Sequence, residues 1–487
     1  MLAFFGGLIF LVAGYFVYGK LVEKILAPDD RITPAIASGD GVDYVILPKW
    51  KNMLIQLLNI AGVGPVIGVI LGIKFGEIVF YIIPVGCVLA GATHDFLGGM
   101  MSLRDNGANL PKIIRDNLGK GYAAIFSWFM VFLLVLVVAV FINIPANLID
   151  KTFLPDIPFF WWAVAAVFIY YIVATLFPVD KIIGAIYPFF GGLLLLGTLS
   201  LLAVLTVWVI RDPALLQESE AFKAGKYTSE HAPVIPLLFV TIACGIISGF
   251  HATQAPIVAR TMRSEREARA TFYGTMILEG IIGMIWAGAA MAIFNKMPEL
   301  MADKGGVVTL NKITVSMLGE WMGTITVVAV IILAITSGDT ALRSARLSLA
   351  EMLRVQQKSL HSRVLICLPL IAMTAAILWW SNSDTKSFGF LWNYFAWGNQ
   401  ILAATTSMAA AVWLLRQGKK PYIAFIPGIF MTFIVVTYIL WTSPAHKQAY
   451  GFGLPIHIAM AAGAAVAVIF AAVVYRLGKK NNALNNN

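Results

Sequence analysis

Two apolar stretches of helix length, at residues 53–73 and 235–257, are each interrupted near the centre by glycine and proline. The first interruption reads N-I-A-G-V-G-P-V-I-G at residues 59–68, and the second reads A-C-G-I-I-S-G-F-H-A-T-Q-A-P at residues 243–256. Backbone that leaves the helix at membrane depth is tolerated only where it is buried in protein or lines a wet cavity. Paired breaks of this kind are the sequence pattern that best marks the binding site of a secondary transporter.

Apolar runs of membrane-spanning length recur throughout the chain. Of its 487 residues, 59% are hydrophobic and 12% are charged, and the mean hydropathy is +0.83. Runs of roughly 18 or more apolar residues predict transmembrane helices, and we count about thirteen of them. They lie near residues 2–21, 53–73, 76–101, 121–148, 159–178, 182–210, 235–257, 271–294, 323–349, 363–380, 389–415, 421–442 and 454–476. We therefore expect an all-α polytopic membrane protein, with residues 1–487 forming a single membrane domain.

The predicted helices fall into two groups of five. Residues 53–210 hold the first group and residues 235–415 the second, and each group begins with an interrupted helix. The two interrupted helices would enter the membrane from opposite sides, as an inverted repeat requires. The helix at residues 1–22 would be peripheral, and the two at residues 421–476 would be additions to the repeat. Residues 307–318 have the apolar spacing of a short interfacial helix or plug, with an ordered loop as the alternative.

The charge distribution predicts the orientation of the chain rather than a polyanion partner. The formal net charge is +10, and most of the 35 Lys and Arg residues fall in one alternate set of loops, including residues 104–120, 260–269 and 343–363. The positive-inside rule makes these loops cytoplasmic, which puts the N-terminus outside and the C-terminus inside a plasma membrane. We expect no nucleic-acid partner. The three cysteines lie in apolar segments without CxxC or histidine-rich spacing, so buried thiols are expected.

The first interruption combines groups that suit an anion and a cation. The half-helix beginning near Pro65 would point unsatisfied N–H groups into the membrane centre, where their partial positive charge attracts a carboxylate. The candidate substrate contacts here are Asn59, Gly62, Gly64 and Pro65. The main-chain carbonyls of Ala61 and Val63 are candidate cation ligands. The alternative is a glycine-rich packing face, which membrane helices often have.

The second interruption adds an ionisable group. A helix broken at Ser248 and Gly249 would expose backbone to a ligand, and His251 would bind a carboxylate or relay a proton. The candidate substrate contacts here are Gly245, Ser248, Gly249, His251 and Gln254. Alternatively, His251 forms a hydrogen bond with a carbonyl group and serves only the fold.

A polar face is predicted at the end of the ninth helix. Thr336, Asp339, Thr340 and Arg343 have i, i+3, i+4 and i+7 spacing and share one side of a helix. The hydroxyl groups of Thr336 and Thr340 and the carboxylate of Asp339 would supply oxygen ligands for Na⁺. Asp339 is alternatively a proton carrier or the structural partner of Arg343.

Other polar groups in apolar segments are candidates for gating or proton relay. They are His94, Asp95 and Glu279. For the His94–Asp95 pair, a structural hydrogen-bond network is the alternative. Glu279 alternatively lines a solvated cavity or has a structural partner. Asn393, Asn399 and Gln400 provide neutral hydrogen-bonding groups among aromatic residues, and they are typical of contacts between membrane helices.

The motifs of this chain resemble those of the carbon starvation protein A (CstA) family of bacterial membrane proteins. The matching stretches are Asp40-Gly-Val-Asp-Tyr44, Ile60-Ala-Gly-Val-Gly-Pro65, Gly91-Ala-Thr-His-Asp-Phe96, Ala243-Cys-Gly-Ile-Ile-Ser-Gly-Phe-His251, Gly338-Asp-Thr340 and Asn399-Gln-Ile-Leu-Ala403. The resemblance implies a LeuT-like (APC) fold with a five-plus-five inverted repeat. It also implies a cation site, with Na⁺ as the candidate ion, where Ala61 and Val63 meet Thr336 and Ser337. Family members are associated with peptide uptake and some with proton-coupled pyruvate uptake.

These observations predict a secondary active transporter that imports a small carboxylated nutrient, a peptide or pyruvate, by H⁺ or Na⁺ symport across a bacterial inner membrane. No cofactor other than the coupling ion is expected, and we do not expect an enzyme. One alternative is a membrane receptor or sensor. Another is a metal-dependent membrane enzyme using His94, Asp95 and His251, which requires these side chains to converge.

Overall fold

The chain is built almost entirely from helices. The computed structural model describes residues 1–41, 43–153, 157–176, 179–228, 232–303, 305–384, 387–446 and 449–485, with backbone only for 179–188 and 480–485. Within these residues there is no β-strand, and a single isolated bridge joins Leu47 to Met262. The predicted all-α polytopic class is confirmed.

The helices that build the bundle are numbered here in chain order. They are α1 (Leu2–Leu26), α2 (Lys49–Ile60), α3 (Gly64–Phe75), α4 (Val79–Arg104), α5 (Leu110–Leu118), α6 (Lys120–Phe153), α7 (Phe160–Leu176), α8 (Val179–Arg211), α9 (Ala243–Ile246), α10 (Gly249–Ala259), α11 (Glu265–Lys296), α12 (Val307–Met352), α13 (Leu360–Ser381), α14 (Ser387–Arg416), α15 (Tyr422–Trp441) and α16 (Ile456–Asn485).

Nine helices within the described residues are long and apolar enough to cross a membrane, and the bent pair α2–α3 makes ten. The other predicted spans coincide with the shorter apolar helix α7, with the second interrupted stretch and with α14. The count of about thirteen spans and the inverted repeat remain predictions.

The interior of the bundle lies around α2, α6, α10, α11 and α12. Helix α12 packs on α6, α8 and α2, and α10 packs on α4, α14 and α2. The apolar part of α11 is 89% buried and that of α6 is 78% buried, whereas the figure is 28% for both α1 and α16. Helices α1 and α16 therefore lie at the outside of the bundle, where their apolar surface is available to lipid.

Helix α12 contains one sharp bend that separates the segment at residues 307–318 from the rest. The bend occurs at Gly319, whose φ of 75° is a left-handed conformation that glycine adopts without steric cost. The segment before the bend is helical, so the short-helix interpretation is confirmed and the ordered-loop alternative is wrong.

Candidate functional site

The first interruption lies between α2 and α3, which meet at an angle of 56°. Helix α2 ends at Ile60, and Gly64 and Pro65 begin α3. Proline suits a first helical turn because the N–H group it lacks would have no helical partner there. A Cβ on Gly62 would lie 2.8 Å from the ring of Phe141, so packing requires a glycine. The predicted break is confirmed.

The second interruption lies between α9 and α10. Ile247 (φ −164°, ψ 125°) and Ser248 (φ −130°, ψ 121°) are extended, and α10 begins at Gly249. A Cβ on Gly249 would lie 2.2 Å from the backbone nitrogen of Ala403 in α14. Only a residue without a side chain allows this approach of two backbones. This predicted break is also confirmed.

Asn399 of α14 caps the second half-helix. Its Oδ1 accepts a hydrogen bond of 2.6 Å from the backbone N–H of Phe250, and its Nδ2 lies 3.0 Å from Ser248 Oγ. The N–H groups of a first helical turn need such a partner when they are buried. Asn399 thus connects α14 to α10, as expected for an amide between membrane helices. The Phe250 N–H group that it binds lies in the stretch of backbone that we expected to face a ligand.

The two interruptions touch each other inside the bundle. A Cβ on Gly64 would lie 2.3 Å from the side chain of Cys244, at the start of α9. A Cβ on Gly91 of α4 would lie 2.2 Å from the carbonyl oxygen of Ile246, next to the second break. Irregular backbone from both halves of the chain is therefore in contact, and it is shielded from lipid as membrane-depth breaks must be.

Four ionisable side chains, which we call the carboxylate–imidazole cluster, meet beside the second break: His94, Asp95, His251 and Glu279. Asp95 of α4 lies between the two rings, with Oδ1 2.9 Å from Nδ1 of His94 and Oδ2 2.9 Å from Nδ1 of His251. Glu279 of α11 places Oε2 3.6 Å from Nε2 of His251. All four side chains are at most 2% exposed.

This geometry restricts the proton positions in the carboxylate–imidazole cluster to two arrangements. The Asp95 carboxylate accepts from both rings, so each Nδ1 carries its proton. The Nε2 atom of His251 then faces a carboxyl group. Either the ring is an imidazolium that donates toward a Glu279 carboxylate, or the ring is neutral and Glu279 carries the proton. In both cases the His251–Glu279 pair holds one proton between Nε2 and the carboxyl group.

Several buried amides near the breaks lack a hydrogen-bond partner among the described residues. Both polar side-chain atoms of Gln56, Asn59 and Gln400 are in this state, and so is Oε1 of Gln254. Buried polar groups in native proteins are nearly always paired, because an unmade hydrogen bond costs about 1–3 kcal/mol. Such amides are therefore candidate ligand contacts. Gln56 was not singled out in the sequence, although it is three residues before Asn59 and so shares its helix face.

The first break also meets α12 at the position expected for a cation site. Ser337 Oγ donates a hydrogen bond of 2.8 Å to the carbonyl of Leu58, in the last turn of α2. Thr336 and Thr340 instead donate to carbonyls of their own helix, at 2.9 Å and 3.1 Å. The structure therefore brings Ser337 next to the first break through Leu58, and the cation site at Ala61, Val63, Thr336 and Ser337 stays a prediction.

Asp339 lies on the same polar face of α12. Its Oδ2 accepts a hydrogen bond of 2.8 Å from the hydroxyl of Tyr170 in α7. Arg343, one turn further along, contacts Asp43 at 3.2 Å and donates to the carbonyl of Ala174 at 2.5 Å. Both interactions tie α12 to other parts of the chain, and the choice between an ion site and a structural role for Asp339 stays open.

Every predicted site residue is buried, so the structure is closed at the breaks. A groove of about 540 Å³ lies elsewhere, between α6, α14, α15 and α16, and is lined by apolar side chains such as Tyr122 and Phe470. His94, Asp95 and His251 do converge, as a metal-dependent enzyme using these three residues would require. Among the described residues, however, no group of three His, Cys, Asp or Glu side chains has an arrangement that could hold a metal ion.

Comparison with known proteins assigns the chain to a family. The family model described as carbon starvation protein CstA matches residues 1–164, 160–307 and 299–438. An uncharacterized membrane protein of Haemophilus influenzae is 38% identical over 353 residues, which cover 62% of this chain and 94% of that protein.

Two relatives with named functions are more distant. The peptide transporter CstA of Campylobacter jejuni is 25% identical over 541 residues, covering 86% of this chain and 76% of that protein. The pyruvate/proton symporter BtsT of Escherichia coli is 27% identical over 344 residues, which cover 58% of this chain. The chain spans 48% of the symporter's own length.

Solved structures support the fold. MhsT in complex with L-phenylalanine matches with a TM-score of 0.56, covering 89% of this chain and 99% of MhsT. The manganese transporter of Eremococcus coleocola, in complex with a bis-isothiourea compound, matches with a TM-score of 0.52, covering 91% of this chain and 98% of the transporter. Both are 14% identical to this chain, so the likeness concerns the fold alone. The family match confirms the resemblance found in the motifs, and the chain belongs to the carbon starvation protein CstA family.

Proposed function

We propose that this membrane transporter imports a small carboxylated nutrient, such as pyruvate or a short peptide, together with protons. The observation that carries the proposal is the His251–Glu279 pair, buried at the second break with its Nε2 and Oε2 atoms 3.6 Å apart. An ionisable group inside a membrane bundle is functional by default, because its burial is costly. A pair that shares one proton is suited to taking it up on one side of the membrane and releasing it on the other.

The position of the pair links the proton to the movement of the helices. His251 lies in the first turn of α10, directly after the extended residues, and Glu279 belongs to α11. A rotation of α10 against α11 would lengthen the Nε2–Oε2 distance and change which group holds the proton. Alternating access would then be coupled to protonation, since each conformation favours one proton position.

Recognition of the cargo would use the first break and the buried amides. The start of α3 carries the partial positive charge of a helix N-terminus, which suits a carboxylate. Gln56 and Asn59 on α2 and Gln400 on α14 supply donors and acceptors that have no partner among the described residues. Helices α2 and α14 both pack on α10, so these amides belong to the surroundings of the breaks. Co-transport of one proton with a monocarboxylate would make the transported pair neutral.

Sodium is the second candidate for the coupling ion. It is favoured by the contact of Ser337 Oγ with the carbonyl of Leu58, since hydroxyl and carbonyl oxygens are ligands for hard cations. One relative is named a pyruvate/proton symporter, which supports a proton and pyruvate here. Another is named a peptide transporter, which supports a peptide as cargo.

The proposal includes the arrangement in the membrane. We place the N-terminus outside and the C-terminus in the cytoplasm of a bacterial inner membrane, with residues 53–210 and 235–415 as inverted five-helix units. Reporter fusions that are active on one side only, placed after Lys20 and after Arg416, should both report the cytoplasm. A periplasmic signal at either position would contradict this orientation.

Transport by purified protein in liposomes tests the function. Labelled pyruvate and a labelled dipeptide are offered under an inward proton gradient, under an inward sodium gradient, and without a gradient. We expect accumulation of at least one cargo under the proton gradient, abolished by a protonophore. Accumulation under sodium alone would favour the second ion. Counterflow of label without any gradient separates a transporter from a receptor or an enzyme, and its absence for every cargo tested would refute these substrates.

A further inference from the structure

The other concentration of buried charge lies at the end of α12 that carries Met352, on the side predicted to be cytoplasmic. We call it the arginine cluster, and its members are Arg260, Arg343, Arg346 and Arg363. Their exposed fractions are between 0% and 7%. Arginine is rarely buried without a counter-charge, because removing its charge from water is expensive.

A single loop residue, Asp43, places a carboxylate among these arginines. Its Oδ1 lies 3.2 Å from Nη1 of Arg343 and 3.5 Å from Nη2 of Arg346, and the residue is 6% exposed. Burial alone would raise the pKa of Asp43, but Arg346, Arg343, Arg260 and Arg363 together hold it below its usual value. Asp43 is therefore an ionised carboxylate at neutral pH.

Apart from Asp43, the described hydrogen-bond acceptors of Arg260, Arg346 and Arg363 are neutral. Arg346 Nη1 donates to Oε1 of Gln357 at 3.0 Å, Arg363 Nη1 to the carbonyl of Leu176 at 2.7 Å, and Arg260 Nε to the carbonyl of Gly107 at 2.9 Å. Nε of Arg346 is buried with no hydrogen-bond partner in the described part of the chain. Arg346 thus keeps a buried donor that no described acceptor satisfies, although Asp43 lies beside the same guanidinium group.

A second carboxylate on the same end of α12 is engaged elsewhere. Glu351 Oε2 accepts a hydrogen bond of 2.5 Å from Nδ2 of Asn109, and no ion pair between Glu351 and the arginine cluster is recorded within the described residues. Of these two carboxylates, Asp43 is the one that contacts the arginine cluster in this closed structure.

The loop that delivers Asp43 is held at a few points. Thr33 Oγ donates to the carbonyl of Met262 at 2.7 Å, and the backbone N–H of Leu47 donates to the carbonyl of Thr261 at 3.0 Å. This loop leads directly into α2, the helix that ends at the first break. Because Asp43 belongs to this loop while Arg343 and Arg346 belong to α12, a movement of the loop relative to α12 would separate the carboxylate from the guanidinium groups.

The arginine cluster is also close to the breaks along the chain. Ser337, which contacts the end of α2, is six residues before Arg343 in one continuous helix. Six residues of α-helix span about 9 Å. A cargo leaving the breaks toward this end would meet the guanidinium groups that Asp43 had covered.

We propose that the arginine cluster is a carboxylate-binding site, filled by Asp43 in the closed structure and by the carboxyl group of the cargo when the loop withdraws. Guanidinium groups bind carboxylates with strong, directional hydrogen bonds, so the same donors serve both ligands. The loop carboxylate and the cargo compete for one site, and the competition would release the cargo when the loop returns. The cargo clause rests on the proposed import of a carboxylated nutrient.

Chemical rescue tests whether the site binds a free carboxylate. Acetate has the size and charge of the side chain removed by Asp43→Ala. In purified full-length Asp43→Ala protein, acetate should raise the melting temperature by at least about 2 °C, and neutral acetamide should not. The same additions should have no such effect on the wild type or on Asp30→Ala, a matched loss of an exposed carboxylate that pairs with Arg266.

A second variant and a second way of adding acetate complete the rescue test. Arg346→Gln in the Asp43→Ala background should remove the effect of acetate. If Asp43→Ala cannot be purified in ordinary buffer, acetate during extraction should restore monodisperse protein and acetamide should not. Failure of acetate in both settings, or an effect of acetate that survives Arg346→Gln, would overturn the proposal.

Efflux tests whether the cargo uses the site. In liposomes preloaded with a transported carboxylate, Arg346→Gln should slow efflux at least about fivefold and Arg346→Lys should restore part of the rate. Efflux of Arg346→Gln at the wild-type rate would remove the cargo from the proposal. If acetate rescues Asp43→Ala while the wild type transports no carboxylate, the proposed function fails and the binding site stands. If the wild type transports a carboxylate but acetate does not rescue Asp43→Ala, the proposed function stands and the binding site fails.

Discussion

Oε2 of Glu279 and Nε2 of His251 lie 3.6 Å apart in a fully buried contact between α11 and α10. The two residues are 28 positions apart in the sequence, on opposite sides of a loop, and neither contact atom has a hydrogen-bond partner within the described residues. At 3.6 Å, the distance between these two atoms is slightly too long for a hydrogen bond, and a small approach of the two helices would form one. A pair in this state is sensitive to small helix movements.

Glu279→Gln should uncouple transport from protons. The amide keeps the shape of the side chain but cannot carry the shared proton, so uptake driven by a proton gradient should fall at least about tenfold. Counterflow without a gradient should persist, because the variant still binds and exchanges cargo. Uptake and counterflow of labelled cargo in liposomes measure the two. Glu299→Gln, at an exposed position outside the bundle, is the matched control, and equal losses in both assays would contradict the coupling role.

Asp95→Asn should destabilise the closed bundle strongly. The carboxylate accepts from two buried rings, and loss of one partner of a buried charged pair typically costs about 3–5 kcal/mol. A double-mutant cycle with His251→Gln checks the cause. The double variant should be less destabilised than the sum of the single variants by about 1–3 kcal/mol, measured by thermal or denaturant unfolding in detergent. Additive effects would mean that Asp95 and His251 do not stabilise each other.

Asn399→Ala should remove the cap of α10. The Phe250 N–H would lose its acceptor, and loss of an N-cap costs about 0.5–2 kcal/mol. Asn399→Asp retains the acceptor oxygen and should retain most of the stability of the cap. Asn393→Ala, six residues earlier in α14 and partly exposed, is the control, measured by the same melting curves. Equal melting temperatures for Asn399→Ala and Asn393→Ala would show that the cap contributes nothing.

Gly249→Ala should abolish transport. Its new methyl group would meet the backbone nitrogen of Ala403 at 2.2 Å, so α10 and α14 would have to separate at the break. Gly192→Ala in α8 has no atom within 4 Å of the added Cβ and should leave transport unchanged. Uptake, together with the amount of monodisperse protein, distinguishes a lost site from lost folding. Wild-type uptake in Gly249→Ala would show that the close approach is not required.

The contribution of Asp43 to stability should depend on pH with a defined sign. Its pKa in the folded chain lies below the usual 3.8, because the surrounding arginines outweigh the effect of burial. A lowered folded pKa means that the stabilisation is complete above the unfolded value and is lost as the pH falls through the folded value. The melting temperature of Asp43→Asn should therefore be below that of the wild type at about pH 7 and pH 5, and the difference should shrink below about pH 4.

A difference in melting temperature that is the same at every pH would contradict this assignment. Asp30→Asn serves as the control for general effects of charge, since that carboxylate is exposed on the same loop.

The sequence was sufficient for the class of fold and for the two breaks. Apolar runs long enough for a membrane force helices, because lipid offers no partners for backbone groups. Gly62, Gly64 and Pro65 mark the first break and Gly249 marks the second, since glycine and proline act on their own backbone. These are local causes, and the breaks in the structure follow them.

The composition of the candidate site was partly predictable. Ser337 and the first break were expected to meet through the family resemblance, and Ser337 does contact Leu58. The partner of Glu279 was not predictable, because its contact with His251 depends on how α10 and α11 pack. The same applies to Asp43, which lies 300 positions from Arg343 in the sequence.

The amino-acid sequence by itself thus determined that this chain forms long apolar helices and where two of them break, because hydrophobic length and backbone geometry act over a few residues. Tertiary structure alone decided which charges face each other. Asp95 lies between two rings, Asn399 caps a helix from another part of the chain, and one loop carboxylate neutralises distant arginines. Electrostatic and hydrogen-bond contacts act across a few ångströms of space, and only packing brings such distant residues that close.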